Sequence, residues 1–156
     1  MLSPNHTEGG INGHVAVAGL IWVLAFPASY LFNVSVGHPV VSVVSEPLVI
    51  QVSWIKAISP LAAVISLVIA APLVEEFAFR GFLLSALGFW GGATVSNTFW
   101  VSLHATYPWH ALSMIFVFGM LLSLAIWRTG SLWTCIVAHG LYNLEPALFQ
   151  FIFVRS

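Results

Sequence analysis

Three charged residues stand inside an apolar stretch of this sequence, and they constrain the fold more than any other feature. Residues 72–87 read PLVEEFAFRGFLLSAL, so Glu75, Glu76 and Arg80 fall within six consecutive positions. An unpaired charge near the middle of a membrane helix costs about 2.5–3.5 kcal/mol on insertion scales. We therefore expect these side chains to pair with one another, to face a wet cavity, or both.

The composition places that stretch in a membrane. Of the 156 residues, 60% are hydrophobic and only 6% are charged, and the mean hydropathy is +0.99. Because a spanning helix needs about 20 apolar residues, the chain has room for about five or six transmembrane or membrane-embedded helices. We predict an all-α, polytopic helical membrane protein, integral to a prokaryotic cytoplasmic membrane, with membrane lipid as a partner. Lys and Arg form no cluster, which argues against a nucleic-acid partner.

One domain accounts for nearly the whole chain. Residues 1–13 are polar and contain several glycines, so we predict a flexible N-terminal tail. Residues 14–156 are predicted to form a single membrane-embedded domain, with its functional core at about residues 57–154. The tail lacks Lys and Arg, which argues against a signal peptide, so the apolar run after it is expected to be a retained helix.

The expected helices follow the apolar runs, and Gly or Pro separates most of them. The first run covers residues 14–36, whereas residues 37–56 contain two prolines and either span the membrane, lie along its interface or loop back. The later runs are residues 57–74, 79–87, 94–107, 111–127 and 131–154. Gly88, Gly91 and Gly92 are expected to break the second of these later runs, and Glu145-Pro146 to bend or end the last.

Helical spacing relates the polar residues to one another. Glu76 and Arg80 are four apart, which predicts an ion pair on one helix face in the favoured acid-first order. Glu75 is turned by about 100° from Glu76 on an ideal helix, so it remains available. His139 and Asn143 are also four apart and are predicted to share a face of the last helix.

These residues carry enough chemistry for peptide hydrolysis. A carboxylate beside a histidine can hold a water molecule and remove its proton, and a second histidine with an amide can donate to an oxyanion. Simpler roles compete with this reading: a structural ion pair for Glu76 and Arg80, and helix-to-helix hydrogen bonding for Asn143. Their joint occurrence in one apolar chain favours a functional site.

Other hydrolytic sites are excluded or remain as alternatives. The sequence contains no aspartate and no HExxH, so neither a Ser-His-Asp triad nor a zincin site is present. The single cysteine, Cys135, is expected to be a structural thiol in its apolar run. A divalent metal such as zinc, held by Glu75, His104 and His139, is the alternative to a site without a cofactor.

Three motifs resemble those of the CPBP family of intramembrane proteases, named for CaaX proteases and bacteriocin-processing enzymes and also called Abi proteins. The first, EExxxR, spans Glu75 to Arg80 and is followed by Gly81. The second, FxxxH, ends at His104, with Trp100 in place of the phenylalanine. The third pairs His139 with Asn143, after a family-like RTGSLW.

The resemblance implies roles for the matching positions and makes the core at residues 57–154 protease-like. Trp100 would be a conservative apolar wall, whose substitution is not expected to abolish activity, and no cofactor would be needed. The implied catalytic residues are Glu75 and His104, which would activate water, and His139 and Asn143, which would stabilise the oxyanion, with Glu76 and Arg80 supporting them.

We therefore predict an intramembrane endopeptidase that hydrolyses a peptide bond in a membrane-associated protein or peptide. The first alternative is a metal-dependent peptidase that uses the same residues as ligands. The second is a non-enzymatic membrane protein, such as an immunity factor or a transporter component, in which the polar cluster is structural or conducts protons. No residue pattern indicates the oligomeric state.

Overall fold

The computed structural model describes residues 11–35 and 60–153, and every regular element in these ranges is helical. The all-α prediction is thus confirmed for the described part of the chain. Its helices are α1 (Ile11–Ser35), α2 (residues 60–87), α3 (Phe89–Ser102), α4 (Trp109–Thr129) and α5 (Leu132–Phe153).

Helix α2 is continuous but alternates between two helical forms. Its two wide π-helical segments lie on either side of the glutamate pair, and such segments occur frequently at functional sites. The α-helical parts are Pro60–Ile65, Ala71–Glu76 and Leu84–Leu87, and the π-helical parts are Ser66–Ala70 and Phe77–Leu83.

A proline accounts for the first wide segment and for how it packs. Pro72 has no backbone N–H, so the Leu67 carbonyl, five residues before it, loses the donor that continues the π-helical pattern of the Ala71 N–H on Ser66. The amide Nδ2 of Asn143 donates to the Leu67 carbonyl over 3.0 Å. Gly140 faces the Val68 carbonyl so closely that a Cβ at this glycine would lie 2.6 Å from the oxygen. Helix α5 therefore fits closely against the widened part of α2.

Helix α5 is the centre of the packing, since it contacts α1, α2 and α4, while α3 packs between α2 and α4. Small buried residues line these contacts and allow close approach of the helices, among them Ala18, Ala125 and Ala138. Cys135 is fully buried among them, and its Sγ donates to the Leu122 carbonyl over 3.2 Å. Its surroundings agree with the predicted structural role of this thiol.

Two of the expected turns form at glycines with positive φ. Gly88 (φ 72°) separates α2 from α3, as predicted, and Gly130 (φ 66°) ends α4 after Arg128 and Thr129. Gly91 and Gly92 were wrongly expected to break the chain here as well, because both lie in the first turns of α3.

Four other expectations need correction or lie outside the described residues. Helix α1 begins three residues before the predicted start at residue 14. Helix α5 continues past Glu145-Pro146 to Phe153, so the pair does not end it, in keeping with the tolerance of membrane helices for proline. Of the predicted tail at residues 1–13, residues 11–13 belong to α1 and the rest lies outside the described part of the chain, as does the ambiguous segment at residues 37–56.

The surface of the described helices is strongly apolar. Large side chains such as Trp90, Phe82 and Leu61 are 78%, 71% and 69% exposed. By length and composition, α4 is the one described helix able to cross a membrane, and Gly13–Ala25 is a shorter apolar helical stretch. The number of spans stays a prediction.

The packing predicts a position-dependent response to added methyl groups. Gly140→Ala should lower the free energy of unfolding by about 1–3 kcal/mol, because the new Cβ meets the Val68 carbonyl. Gly91→Ala is the matched control, since a Cβ at Gly91 meets nothing within 4 Å. Thermal unfolding of the detergent-purified variants checks this, and equal melting temperatures for the two would contradict the proposed fit of α5 against α2.

Candidate active site

The ion pair expected from the spacing forms in α2. Arg80 Nη1 lies 3.1 Å from Glu76 Oε1, and both side chains are 0% exposed. Removing one partner of such a buried pair typically costs about 3–5 kcal/mol, because the other charge is left uncompensated. The pair is therefore a fixed part of the site's wall, closed to solvent.

Helices α3 and α4 hold Arg80 from the other side. Its Nη2 donates to Asn97 Oδ1 over 2.7 Å, and the amide of Asn97 in turn donates to Ser123 Oγ over 3.3 Å. Gly119 makes room for this contact, because a Cβ there would collide with both Asn97 and Arg80. Neither Asn97 nor Ser123 was among the predicted site residues. The sequence gives no signal that sets Asn97 apart, because its neighbours Ser96 and Thr98 are polar as well.

His139 joins the two glutamates. Its Nδ1–H donates to Glu76 Oε1 over 2.8 Å, and its Nε2 lies 3.9 Å from Glu75 Oε2. Glu76 Oε1 thus accepts from both Arg80 and His139, which fixes the plane of the buried imidazole. Sequence spacing did not predict this contact, because residues 76 and 139 lie on different helices.

Asn143 lies on the same side of α5 as His139 but has a different partner. One of its amide N–H groups is used on the Leu67 carbonyl of α2. An amide carries two N–H donors, so a second one remains for other contacts. Both side chains thus bond α2: His139 bonds the Glu76 carboxylate, and Asn143 bonds the Leu67 backbone carbonyl.

Glu75 is the exposed member of the glutamate pair. Its side chain is 26% exposed, whereas that of Glu76 is fully buried. Its Oε2 accepts a hydrogen bond of 2.5 Å from Trp100 Nε1. Glu75 therefore lies outside the ion pair, at the accessible side of the cluster, although its Oε2 and Glu76 Oε1 approach the same His139 ring.

His104 lies in the turn after α3, two residues beyond its last helical residue, rather than within a helix as expected. Its Nδ1–H donates to the Trp100 carbonyl over 3.0 Å. Its ring meets Trp100 edge-on at 5.6 Å between centroids, and the Trp100 ring meets His139 at 5.3 Å. In the described part of the chain His104 and Glu75 form no direct bond, and Trp100 contacts both of them.

Tyr107, in the turn before α4, is an aromatic residue that the sequence reasoning did not single out. Its ring meets His104 edge-on at 5.4 Å. Burial, and to a smaller degree the negative charge of Glu75, raises the pKa of the Tyr107 phenol to about 12. The hydroxyl therefore stays protonated at neutral pH and keeps its ability to donate a hydrogen bond.

The alternative metal ligands are not arranged around a common point. The Trp100 ring contacts both His104 and His139 and lies between them. Among residues 11–35 and 60–153, no three His, Cys, Asp or Glu side chains are grouped as a metal site would require. In this arrangement Glu75, His104 and His139 do not form a preorganised ligand set.

Comparison with known proteins bears on this same region. The sequence model of a family described as Rce1-like, type II CAAX prenyl endopeptidase, matches residues 57–144, more than half of the chain. The matched segment contains all six predicted site residues. No curated protein and no solved structure matches the chain.

The electrostatic link between Glu75 and Tyr107 can be tested directly. Glu75→Gln should lower the pKa of Tyr107 from about 12, because it removes a nearby negative charge. The pKa should remain above the ordinary tyrosine value, since burial is the larger cause of the shift. Near-ultraviolet titration of tyrosinate, with the Tyr107→Phe signal subtracted, measures it. An unchanged titration in Glu75→Gln would show that the two groups do not interact.

The support of Arg80 by Asn97 gives a second prediction. Asn97→Leu should lower the free energy of unfolding by about 1.5–3 kcal/mol, because it removes a buried hydrogen bond to a charged group. Thr98→Val, on the exposed side of the same turn of α3, serves as the control. Chemical unfolding of both variants in detergent compares them. An Asn97→Leu protein as stable as the control would exclude this role.

Proposed function

Because the chain belongs to the Rce1-like family, described as type II CAAX prenyl endopeptidase, we propose that it is an intramembrane endopeptidase. The match confirms the resemblance to the CPBP proteases and points to a peptide hydrolase. Members of this family are membrane proteins. The proposed reaction is hydrolysis of a peptide bond in a membrane-associated protein or peptide.

The observation that carries the proposal is the placement of two glutamates on either side of one histidine. Glu76 is buried and bonded to His139 Nδ1, whereas Glu75 is partly exposed and 3.9 Å from Nε2 of the same ring. One carboxylate thus serves to orient the imidazole, and the other is accessible to a water molecule and a substrate. Such a division of roles between paired carboxylates is typical of acid–base catalysis.

We assign Glu75 as the general base. Its carboxylate would take a proton from water as the water oxygen bonds to the scissile carbonyl carbon, which gives a tetrahedral intermediate. That proton would then pass to the amide nitrogen as the C–N bond breaks, so the products are a carboxylic acid and an amine. The partial exposure of Glu75 supports this role, because a fully buried carboxylate could not meet the substrate.

His104 would assist Glu75 from the accessible side. Its Nδ1–H is occupied by the Trp100 carbonyl, so a neutral ring presents the lone pair of Nε2. That nitrogen could hold the attacking water or relay its proton. Tyr107, which packs on the same ring and keeps its hydroxyl proton, adds a donor at this side of the site.

His139 and Asn143 would stabilise the oxyanion. The His139 ring is bonded to Glu76 through Nδ1, and its Nε2, which lies 3.9 Å from Glu75 Oε2, would donate to the oxyanion when it carries a proton. The second amide N–H of Asn143 is the further donor proposed. Glu76, Arg80 and Asn97 act through His139, since they hold its ring rather than meet the substrate.

The experiment is cleavage of a membrane-peptide library by the purified full chain in liposomes. The library should hold matched C-terminal peptides with and without a prenyl group. Glu75→Gln should lower kcat about 100-fold or more, the usual range for loss of a general base. His14→Ala is the matched control, because His14 bonds Thr134 and takes no part in the proposed site.

The rival functions give different outcomes in the same assay. We expect a chelator to leave the wild-type rate unchanged, and loss of cleavage with the chelator, restored by zinc, would favour the metal-dependent alternative. Full activity of Glu75→Gln would refute the assignment of the base. If the biological effect of the gene survives in Glu75→Gln and His139→Ala, the non-enzymatic alternative replaces the proposal.

A further inference from the structure

Trp100 contacts more of the site than any other side chain described above. It is 3% exposed, and its Nε1–H donates to Glu75 Oε2 over 2.5 Å. The Arg80 guanidinium lies over the ring with its Cζ 4.5 Å from the centroid. The ring edges of His104 and His139 approach it at 5.6 Å and 5.3 Å. One indole therefore joins the buried ion pair to the exposed glutamate and to both histidines.

The indole differs from the phenylalanine of the FxxxH motif in one polar group. Considered as an apolar wall, Trp100 would be equivalent to that phenylalanine. Its Nε1–H, however, is a donor that phenylalanine lacks, and here the donor is used on the carboxylate proposed as the base. The one polar group that distinguishes tryptophan from phenylalanine therefore bonds the proposed base, Glu75.

The distance between Glu75 and His139 indicates that the hydrogen bond from Trp100 keeps these two side chains apart. The 3.9 Å that separate Glu75 Oε2 from His139 Nε2 exceed the usual hydrogen-bond range of about 2.7–3.2 Å. Glu75 Oε2 accepts from Trp100 instead. If the indole N–H were absent, Glu75 Oε2 could move to bond His139 Nε2 directly. The proposed base and the proposed oxyanion donor would then bond each other instead of the water and the substrate.

The ring itself is held in place. Arg80 stacks on its face, and Arg80 is fixed in turn by Glu76 and Asn97. The direction of the indole N–H therefore depends on the buried network, and the position of the Glu75 carboxylate depends on the indole.

We propose that Trp100 is a positioning residue, which holds the Glu75 carboxylate in its working orientation and prevents it from pairing directly with His139. The inference rests on the proposed peptidase function for its effect on rate. The hydrogen bond from the indole to Glu75 is a separate element that can be tested without activity.

The kinetic test compares Trp100→Phe with Trp133→Phe in the full chain. Trp100→Phe keeps an aromatic ring but removes the indole N–H together with part of the ring, and Trp133→Phe makes the same change at an exposed tryptophan of α5, which serves as the matched control. We expect Trp100→Phe to lower kcat about tenfold or more, with KM nearly unchanged and cleavage still detectable. The control should keep the wild-type kcat. A wild-type kcat in Trp100→Phe would overturn the proposal.

A spectroscopic test covers the case in which the variant folds poorly or no substrate is found. The full chain, labelled with ¹⁵N-tryptophan in micelles, has seven tryptophans, and replacing the other six by phenylalanine one at a time assigns their indole signals and leaves that of Trp100. Glu75→Gln should move that proton signal upfield, because a charge-assisted bond becomes a neutral one. His14→Ala should leave it in place.

The two tests separate failure of the inference from failure of the proposed function. An indole signal that is the same in Glu75→Gln and in the wild type overturns the role of Trp100, even if the protein is an active peptidase. A shifted signal in a protein that cleaves no library peptide supports the hydrogen bond and leaves the positioning of Glu75 intact, while it counts against the hydrolytic function.

Discussion

The site depends on one buried ion pair, Glu76 with Arg80, which contacts all three neighbouring helices through its partners. Hydrogen bonds from neighbouring side chains offset part of the cost of removing this pair from water, although Glu76 Oε2 and Arg80 Nε have no hydrogen-bond partner among the described residues. Arg80 bonds Asn97 on α3, and Glu76 bonds His139 on α5. Glu76 and Arg80, whose burial costs free energy, are thus the same groups that fix the positions of these helices. This explains why three of the chain's few charges lie together.

The shape of α2 determines where those charges meet α5. Pro72 removes a backbone donor, a wide segment forms before it, and Asn143 supplies the missing donor to the Leu67 carbonyl. The close approach at Gly140 then places His139, one residue earlier in α5, against Glu76. A second wide segment after the glutamates accommodates Arg80 below the Trp100 ring. The irregular helical geometry of α2 and the arrangement of the site residues therefore result from the same packing.

Sequence reasoning predicted the contacts within one helix and missed those between helices. The spacing of four was sufficient for the Glu76–Arg80 pair and for the different exposure of Glu75, since both depend on local helical geometry. It could not reveal that His139 bonds Glu76, because that contact depends on the register between α2 and α5, which π-helical segments alter. Trp100 was predicted to be an apolar wall because of its size. The direction of its indole N–H depends on the tertiary structure, so the bond to Glu75 could not be predicted. Asn97 and Tyr107 had no motif to mark them.

We propose that Glu75 and His139 act as one unit on a single substrate carbonyl. A double-mutant cycle on kcat, with Glu75→Gln, His139→Ala and the two combined, tests this most directly. Residues that act as a unit give strongly non-additive effects, so the double variant should be about as slow as the slower single variant. If the two losses in activation free energy simply add, Glu75 and His139 act independently, and the proposed arrangement is contradicted.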